Sequence, residues 1–132
     1  MLTKMLKSKI HRATVTQADL NYEGSISISP ELLAVADLHE FEAVNIWNVT
    51  QGTRFETYTI KGLPGSNDIC VNGAAAHLVK PGDLIIIASF VMLNEQELKT
   101  HVPKAIFVDN QNKFKEKRPE LAGPHTTSLT CN

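Results

Sequence analysis

The sequence predicts a mainly β fold, a small closed β-barrel with a few short helices. Three observations predict it. Residues 41–49 and 53–60 alternate apolar and polar side chains on either side of Gln51-Gly52, the pattern of two half-buried strands joined by a tight turn. Residues 84–91 form a continuous β-branched and apolar run, which suits a strand buried on both sides. Helical periodicity elsewhere is confined to short stretches. Many short strands with so few helices to cover them bury their edges by closing on themselves.

From the N-terminus, residues 9–16 set Ile10 and Val15 among polar and β-branched residues and read as a strand. Strict alternation puts Lys9, His11 and Ala13 on one face of it. Ile26-Ser27-Ile28 alternates again, a strand that begins at Ser25. Ser29-Pro30-Glu31-Leu32-Leu33 then supplies an N-cap serine and a proline at the first helical position, so a short helix is expected to about residue 38. In the second arm of the hairpin Arg54, Glu56 and Tyr58 share one face, and Phe55, Thr57 and Thr59 the other. Residues 69–71 form a short strand leading into Asn72-Gly73-Ala74-Ala75-Ala76-His77. Those alanines suit either one helical turn or a place where backbone N–H groups come close to a ligand. Lys80-Pro81-Gly82-Asp83 is a turn, residues 94–98 open a polar helix or turn, and residues 105–108 make a last strand.

The chain has 132 residues, 42% hydrophobic and 20% charged, which suits one compact domain over residues 1–116. Residues 117–132 are polar and read as a frayed or disordered tail. The 13 Lys and Arg balance 14 Asp and Glu, and a net charge of −1 argues against nucleic-acid or membrane-surface partners. Cys70 sits in an apolar run and Cys131 in the tail, with neither metal spacing nor the look of a disulfide pair. No stretch has the length of a membrane span or the apolar run of a secretory signal, so a reducing cytoplasm is the expected setting. No Gly-rich phosphate loop, metal-binding helix or nucleophile elbow is present.

One dipeptide stands apart. Gly24-Ser25, within Tyr22-Glu23-Gly24-Ser25, reads first as an ordinary turn. It also reads as a scissile bond, because glycine tolerates backbone torsions that could strain its carbonyl and the serine hydroxyl lies only a few atoms away.

Taken together, Lys9-Ile10-His11-Arg12, Tyr22-Glu23-Gly24-Ser25, Ile46-Trp47-Asn48-Val49, Thr53-Arg54-Phe55 with Thr57-Tyr58, Val71-Asn72-Gly73-Ala74-Ala75-Ala76-His77, and Gly82-Asp83 with Ile86-Ile87-Ala88 resemble the pyruvoyl-dependent aspartate 1-decarboxylases. The resemblance runs from about Met1 to about Val108. It implies a double-psi β-barrel assembled as a homotetramer. It implies a proenzyme that cuts itself between Gly24 and Ser25, leaving a β chain of residues 1–24 and an α chain that starts with a pyruvoyl group made from Ser25. It implies decarboxylation of L-aspartate to β-alanine through a Schiff base with that group, in pantothenate biosynthesis. No metal or pyridoxal phosphate is expected, and a separate maturation protein is neither required nor excluded by the residues.

The resemblance also assigns roles. Thr57 would assist processing and contact substrate, and Tyr58 would be the proton donor. Gly73, Ala74 and Ala75 match the substrate-binding segment. Arg54 offers a planar fork for a carboxylate, and Lys9 a second cation with His11 nearby. Asn72 would hydrogen-bond the reacting group. Trp47 would either wall the pocket or belong to the core. The competing expectation is a non-enzymatic small β-barrel binding module in which Gly24-Ser25 is only a turn.

Overall fold

A computed structural model describes residues 1–120 and the strand pair Thr126–Thr127 and Thr130–Cys131. Among these residues the fold is mainly β. Nine strands make one sheet: β1 (Thr3–Thr14), β2 (Gln17–Asp19), β3 (Ser25–Ile28), β4 (Ala43–Asn48), β5 (Arg54–Lys61), β6 (Ile69–Asn72), β7 (Leu84–Leu93), β8 (Lys104–Val108) and β9 (Phe114–Pro119). They lie in the order β2-β6-β3-β5-β4-β7-β1-β8-β9. The pairs β1·β8, β2·β6 and β3·β5 are parallel and the other pairs of this sheet antiparallel.

The mainly β class is as expected. Among the described residues hydrogen bonds do not close the sheet into a ring, but the sheet is rolled. The chain itself forces the roll. In the strand order β1 and β2 are six spacings apart, about 29 Å if the sheet were flat. Only Val15 and Thr16 separate them in sequence, a reach of about 11 Å. The sheet must therefore curl until its β2 edge returns to the end of β1. Backbone bonds pin that crossing: Val15 N–H donates to the Asp83 carbonyl, Gly82 N–H to Val15, and Thr16 N–H to Ile69.

Inside the roll, Ile10, Ile26, Ile28, Ile46, Ile69, Ile85, Ile87 and Ile106 are fully buried, joined by Val15, Val44 and Val71. β-Branched side chains pack well on a pleated surface, and alternation sends every second residue inward. β7 was expected to be buried on both sides. Its inward Ile85 and Ile87 are, while Leu84, Ile86 and Phe90 on the other side are only partly covered.

Strict alternation fails in β1. The register shifts between Ile10 and Ala13, and Arg12 takes a left-handed φ of 61°. An extra residue there flips the pattern, so Ala13 joins Ile10 in the core and leaves the face of Lys9 and His11. In β5 the expected faces hold: Arg54, Glu56 and Tyr58 are exposed, Thr57 is half-buried and Thr59 fully buried, with no break in register.

Helix α1 (Pro30–Val35) begins as expected, with the Ser29 hydroxyl accepting from the Leu32 N–H, and stops short of residue 38. The alanine run is one 3-10 segment, Gly73–Leu78. Helix α2 (Glu95–Leu98) carries a reciprocal cap between Asn94 and Glu97. No helix among the described residues is long and apolar enough to cross a membrane. Residues 105–108 were expected to be the last strand; instead β9 follows and pairs with β8 as far as Pro119, three residues past the domain boundary expected at 116. Residues 121–125, 128–129 and 132 of the expected tail lie outside the described residues.

A buried carboxylate fastens the turn before β7. Asp83 accepts from the Asn48 and Gln51 side-chain amides and from the Lys80 N–H. Burial pushes its pKa up, but these hydrogen bonds together outweigh burial and hold it below the ordinary carboxylate value. A depressed folded pKa contributes stability above the unfolded value and loses it as pH falls through the folded one. Asp83→Asn is therefore expected to unfold about 2 kcal/mol more easily at pH 7. In denaturant titrations the gap to the unaltered chain should narrow steadily below about pH 4. A gap independent of pH would rule out the charged form as its source.

Candidate active site

Ser25 opens β3 and is 1% exposed. Its neighbours alternate cleanly: Ile26 and Ile28 enter the core, while Ser25 and Ser27 lie on the opposite face. On one side β3 pairs antiparallel with β6, bringing Ser25 opposite Asn72. The Asn72 amide donates from Nδ2 to Ser25 Oγ at 3.2 Å and to Ser27 Oγ at 3.3 Å. On the other side β3 pairs in parallel with β5, with Ile26 beside Thr59 and Ser27 beside Ile60. One step back along that register, Tyr58 stands level with Ser25 on the same outer face, about 4.8 Å away across the strands. Thr57, the residue before Tyr58, turns to the opposite face, where its β4 partner is the buried Val44.

The segment before β3 leans over this face. Asn21, Tyr22, Glu23, Ser25, Ser27, Ile60 and Asn72 line a cleft of about 440 Å³. Gly73 explains how close that segment comes. It has a φ of +75°, and a Cβ added there would lie 2.6 Å from Gly24 Cα and 2.8 Å from Gly24 N. Only glycine lets the two backbones touch. The left-handed φ is at Gly73 and not at Gly24, which is exposed and whose added Cβ would meet only the Asn72 carbonyl at 3.8 Å. Ala74 and Ala75 follow on the 3-10 segment, exposed and half-buried.

Four other candidate residues lie elsewhere on the sheet. Arg54 is on the outer face of β5, four residues and about 13 Å along the strand from Tyr58. Its guanidinium stacks on the Trp47 ring at 4.9 Å, which puts Trp47 outside the core. Lys9 is on β1, four strands from β3, and its ammonium pairs with Glu120 at 2.8 Å. His11 packs against Phe107 at 5.4 Å between ring centroids, with Nδ1 buried and unpartnered. Burial first, then the positive charges of Lys9 and Arg12, hold its pKa below the ordinary histidine value. On the convex side of a rolled sheet outward side chains diverge. One chain therefore gathers Ser25, Asn72, Gly73 and Tyr58, and does not bring Lys9, His11, Trp47 and Arg54 to them.

Sequence reasoning missed Ser27, Ile60 and Asn21 as cleft residues. Alternation from Ser25 was enough to find Ser27. Ile60 and Asn21 needed the β3·β5 pairing and the path of the preceding segment.

Comparison with known proteins bears on the same residues. The aspartate decarboxylase family model matches residues 1–115. A protein named aspartate 1-decarboxylase from Legionella pneumophila (strain Paris) is 68% identical over 120 residues, covering 91% of this chain and 90% of its own. Proteins of that name from Rhodopirellula baltica and Myxococcus xanthus are 57% and 54% identical over 125 residues each. The first alignment covers 95% of this chain and 80% of the relative, and the second 94% and 96%.

Proposed function

The chain belongs to the aspartate decarboxylase family, and we propose that it is a proenzyme that cleaves itself at Gly24-Ser25 and then converts L-aspartate to β-alanine and carbon dioxide. One observation carries this reading. Ser25 is buried with an amide on its hydroxyl, and the Gly24 backbone is wedged against Gly73 at a distance no other residue would allow. A turn in a binding module requires neither feature.

Cleavage uses this chain's own atoms. Ser25 Oγ attacks the Gly24 carbonyl and takes the acyl group from nitrogen, turning an amide into an ester. Loss of the Ser25 α-proton expels the Gly24 carboxylate and leaves dehydroalanine. Water then replaces the nitrogen, which departs as ammonia, and residue 25 becomes pyruvoyl. The amide-to-ester step is uphill unless the bond is held out of its relaxed geometry and the oxyanion is stabilised. The Gly73 contact serves the first need, and we assign Thr57 to the second.

Once formed, the pyruvoyl group would supply an electron sink for the carboxylate that leaves the substrate. The surrounding chain does the rest. Asn72 fixes the reacting oxygen, and the Gly73–Ala75 backbone lies against the substrate. Tyr58, level with residue 25 and 39% exposed, is assigned to return a proton to the substrate carbon. Arg54 and Lys9 are the cations for the two carboxylates. Because one chain separates them from Ser25, we assign the complete pocket to the junction between copies in a homotetramer. The exposed Tyr22, Tyr58 and Leu63 would meet the next copy there. The product would serve pantothenate synthesis in the cytoplasm.

Intact-mass analysis under denaturing conditions tests the reading. Two fragments are expected, one ending at Gly24 and one starting at residue 25 without a free amine. Borohydride with aspartate should add mass to the larger fragment alone. A chain still whole after prolonged incubation would refute autonomous processing. Tyr58→Phe should cut normally and lose about 10²- to 10³-fold in kcat, as expected for removing a proton donor. Full activity in that variant would remove Tyr58 from the role.

A further inference from the structure

Cys70 lies two residues before Asn72 on β6, so both side chains occupy the outer face with Ser25 and Ser27. Its Sγ is 3.1 Å from Asn72 Oδ1. The other end of the same amide is the one that meets the two serine hydroxyls. We propose that Cys70 is a positioning residue that sets which end of the Asn72 amide faces Ser25.

An asparagine amide is nearly the same shape after a 180° flip, so its hydrogen-bond partners decide its orientation. The two serines do not decide it, because a hydroxyl both donates and accepts. They would accept from Nδ2 in one orientation and donate to Oδ1 in the other. The thiol breaks the tie. It has one proton to give and its sulfur accepts poorly, so it favours Oδ1 on its own side. Burial, followed by the nearby charges of Asp19 and Asp68, raises the Cys70 pKa above its ordinary value, so the sulfur keeps that proton at neutral pH.

Orientation matters to the nucleophile. With Nδ2 toward Ser25, the oxygen receives a hydrogen bond and its own proton remains free to leave. The amide N–H then stabilises negative charge as it gathers on Oγ. With the amide flipped, the Ser25 proton is tied to Oδ1 and that stabilisation is gone. Cys70 touches neither the scissile bond nor a substrate atom, and it acts through Asn72.

The inference rests on the self-cleaving reading, and two readouts keep the two separable. Cys70→Ala and Cys70→Ser are compared with the unaltered chain by the rate at which freshly made precursor is cut, and by the Asn72 side-chain amide signals in ¹H–¹⁵N spectra of the precursor. Alanine removes the donor, while serine keeps one. Cys70→Ala is expected to cut about tenfold more slowly, the size of one hydrogen bond, with its Asn72 signals shifted. Cys70→Ser should restore most of the rate and the original signal pattern, with both variants melting within a few degrees of each other. Equal rates and unchanged signals in Cys70→Ala would overturn the proposal, as would equal slowing in both variants, which would point to packing. An unaltered chain that never cuts would count against the self-cleaving reading, and the amide signals would then decide the Cys70 proposal alone.

Discussion

Ser25→Ala is expected to remain a single chain of 132 residues with no measurable decarboxylase activity. The change removes one oxygen atom, and with it both the nucleophile and the precursor of the group that would accept the substrate's electrons. No other residue can stand in, because the product of cleavage is residue 25 itself. The fold should be little affected. Ser25 is buried, but Asn72 keeps its bond to Ser27 and its contact with Cys70, so the loss is about 1 kcal/mol. Intact mass and carbon dioxide release from labelled aspartate check both halves. Ser25→Thr or Ser25→Cys sharpens the test. Each keeps a nucleophile, but neither yields the same pyruvoyl group. Decarboxylation by an uncut Ser25→Ala chain would refute the proposed chemistry outright.

Gly73→Ala should be nearly as damaging, although residue 73 supplies no side chain. Its φ of +75° already disfavours an L residue, and the new methyl would lie 2.6 Å from Gly24 Cα, 2.8 Å from Gly24 N and 3.1 Å from the Tyr22 carbonyl. All three atoms are backbone, so the segment leading to Gly24-Ser25 must move away. Strain and clash together should cost about 3 kcal/mol or more of stability. Cleavage should slow by at least about a hundredfold, since that is what about 2.7 kcal/mol does to a rate. Gly24→Ala is the control: its methyl would meet only the Asn72 carbonyl, at an ordinary 3.8 Å. It should fold like the unaltered chain. Denaturant melts and the time course of cutting separate the two variants. Equal behaviour would mean that the Gly73–Gly24 contact does not hold the bond for cleavage.

The strands were legible where the chain obeys a period of two. Residues 25–28, 43–48 and 54–61 alternate without interruption, and the structure forms them as β3, β4 and β5. Ser29-Pro30 announced its helix because both residues act locally, one by capping and one by its fixed φ. Three features escaped. β9 (Phe114–Pro119) is mostly charged and shows no apolar alternation. β2 is three residues long and has no pattern to show. The bulge at Arg12 changes register without changing composition, so strict alternation assigned Ala13 to the wrong face.

By itself, then, the sequence determined the mainly β class, the hairpin and Gly24-Ser25 as a candidate cleavage site, which depend on residue types and short spacings; the set of residues around it came from the family resemblance. Only the tertiary structure decided which of them meet. Ser25, Asn72 and Tyr58 come together because β3 lies between β6 and β5, a pairing between segments more than thirty residues apart. Lys9 is held four strands from β3 by the strand order, and Arg54 lies four residues along β5 from Tyr58. Gly73 acquired its importance in the same way. Its left-handed φ and the backbone of Gly24 pressed against it both demand a glycine, and both arise from the fold.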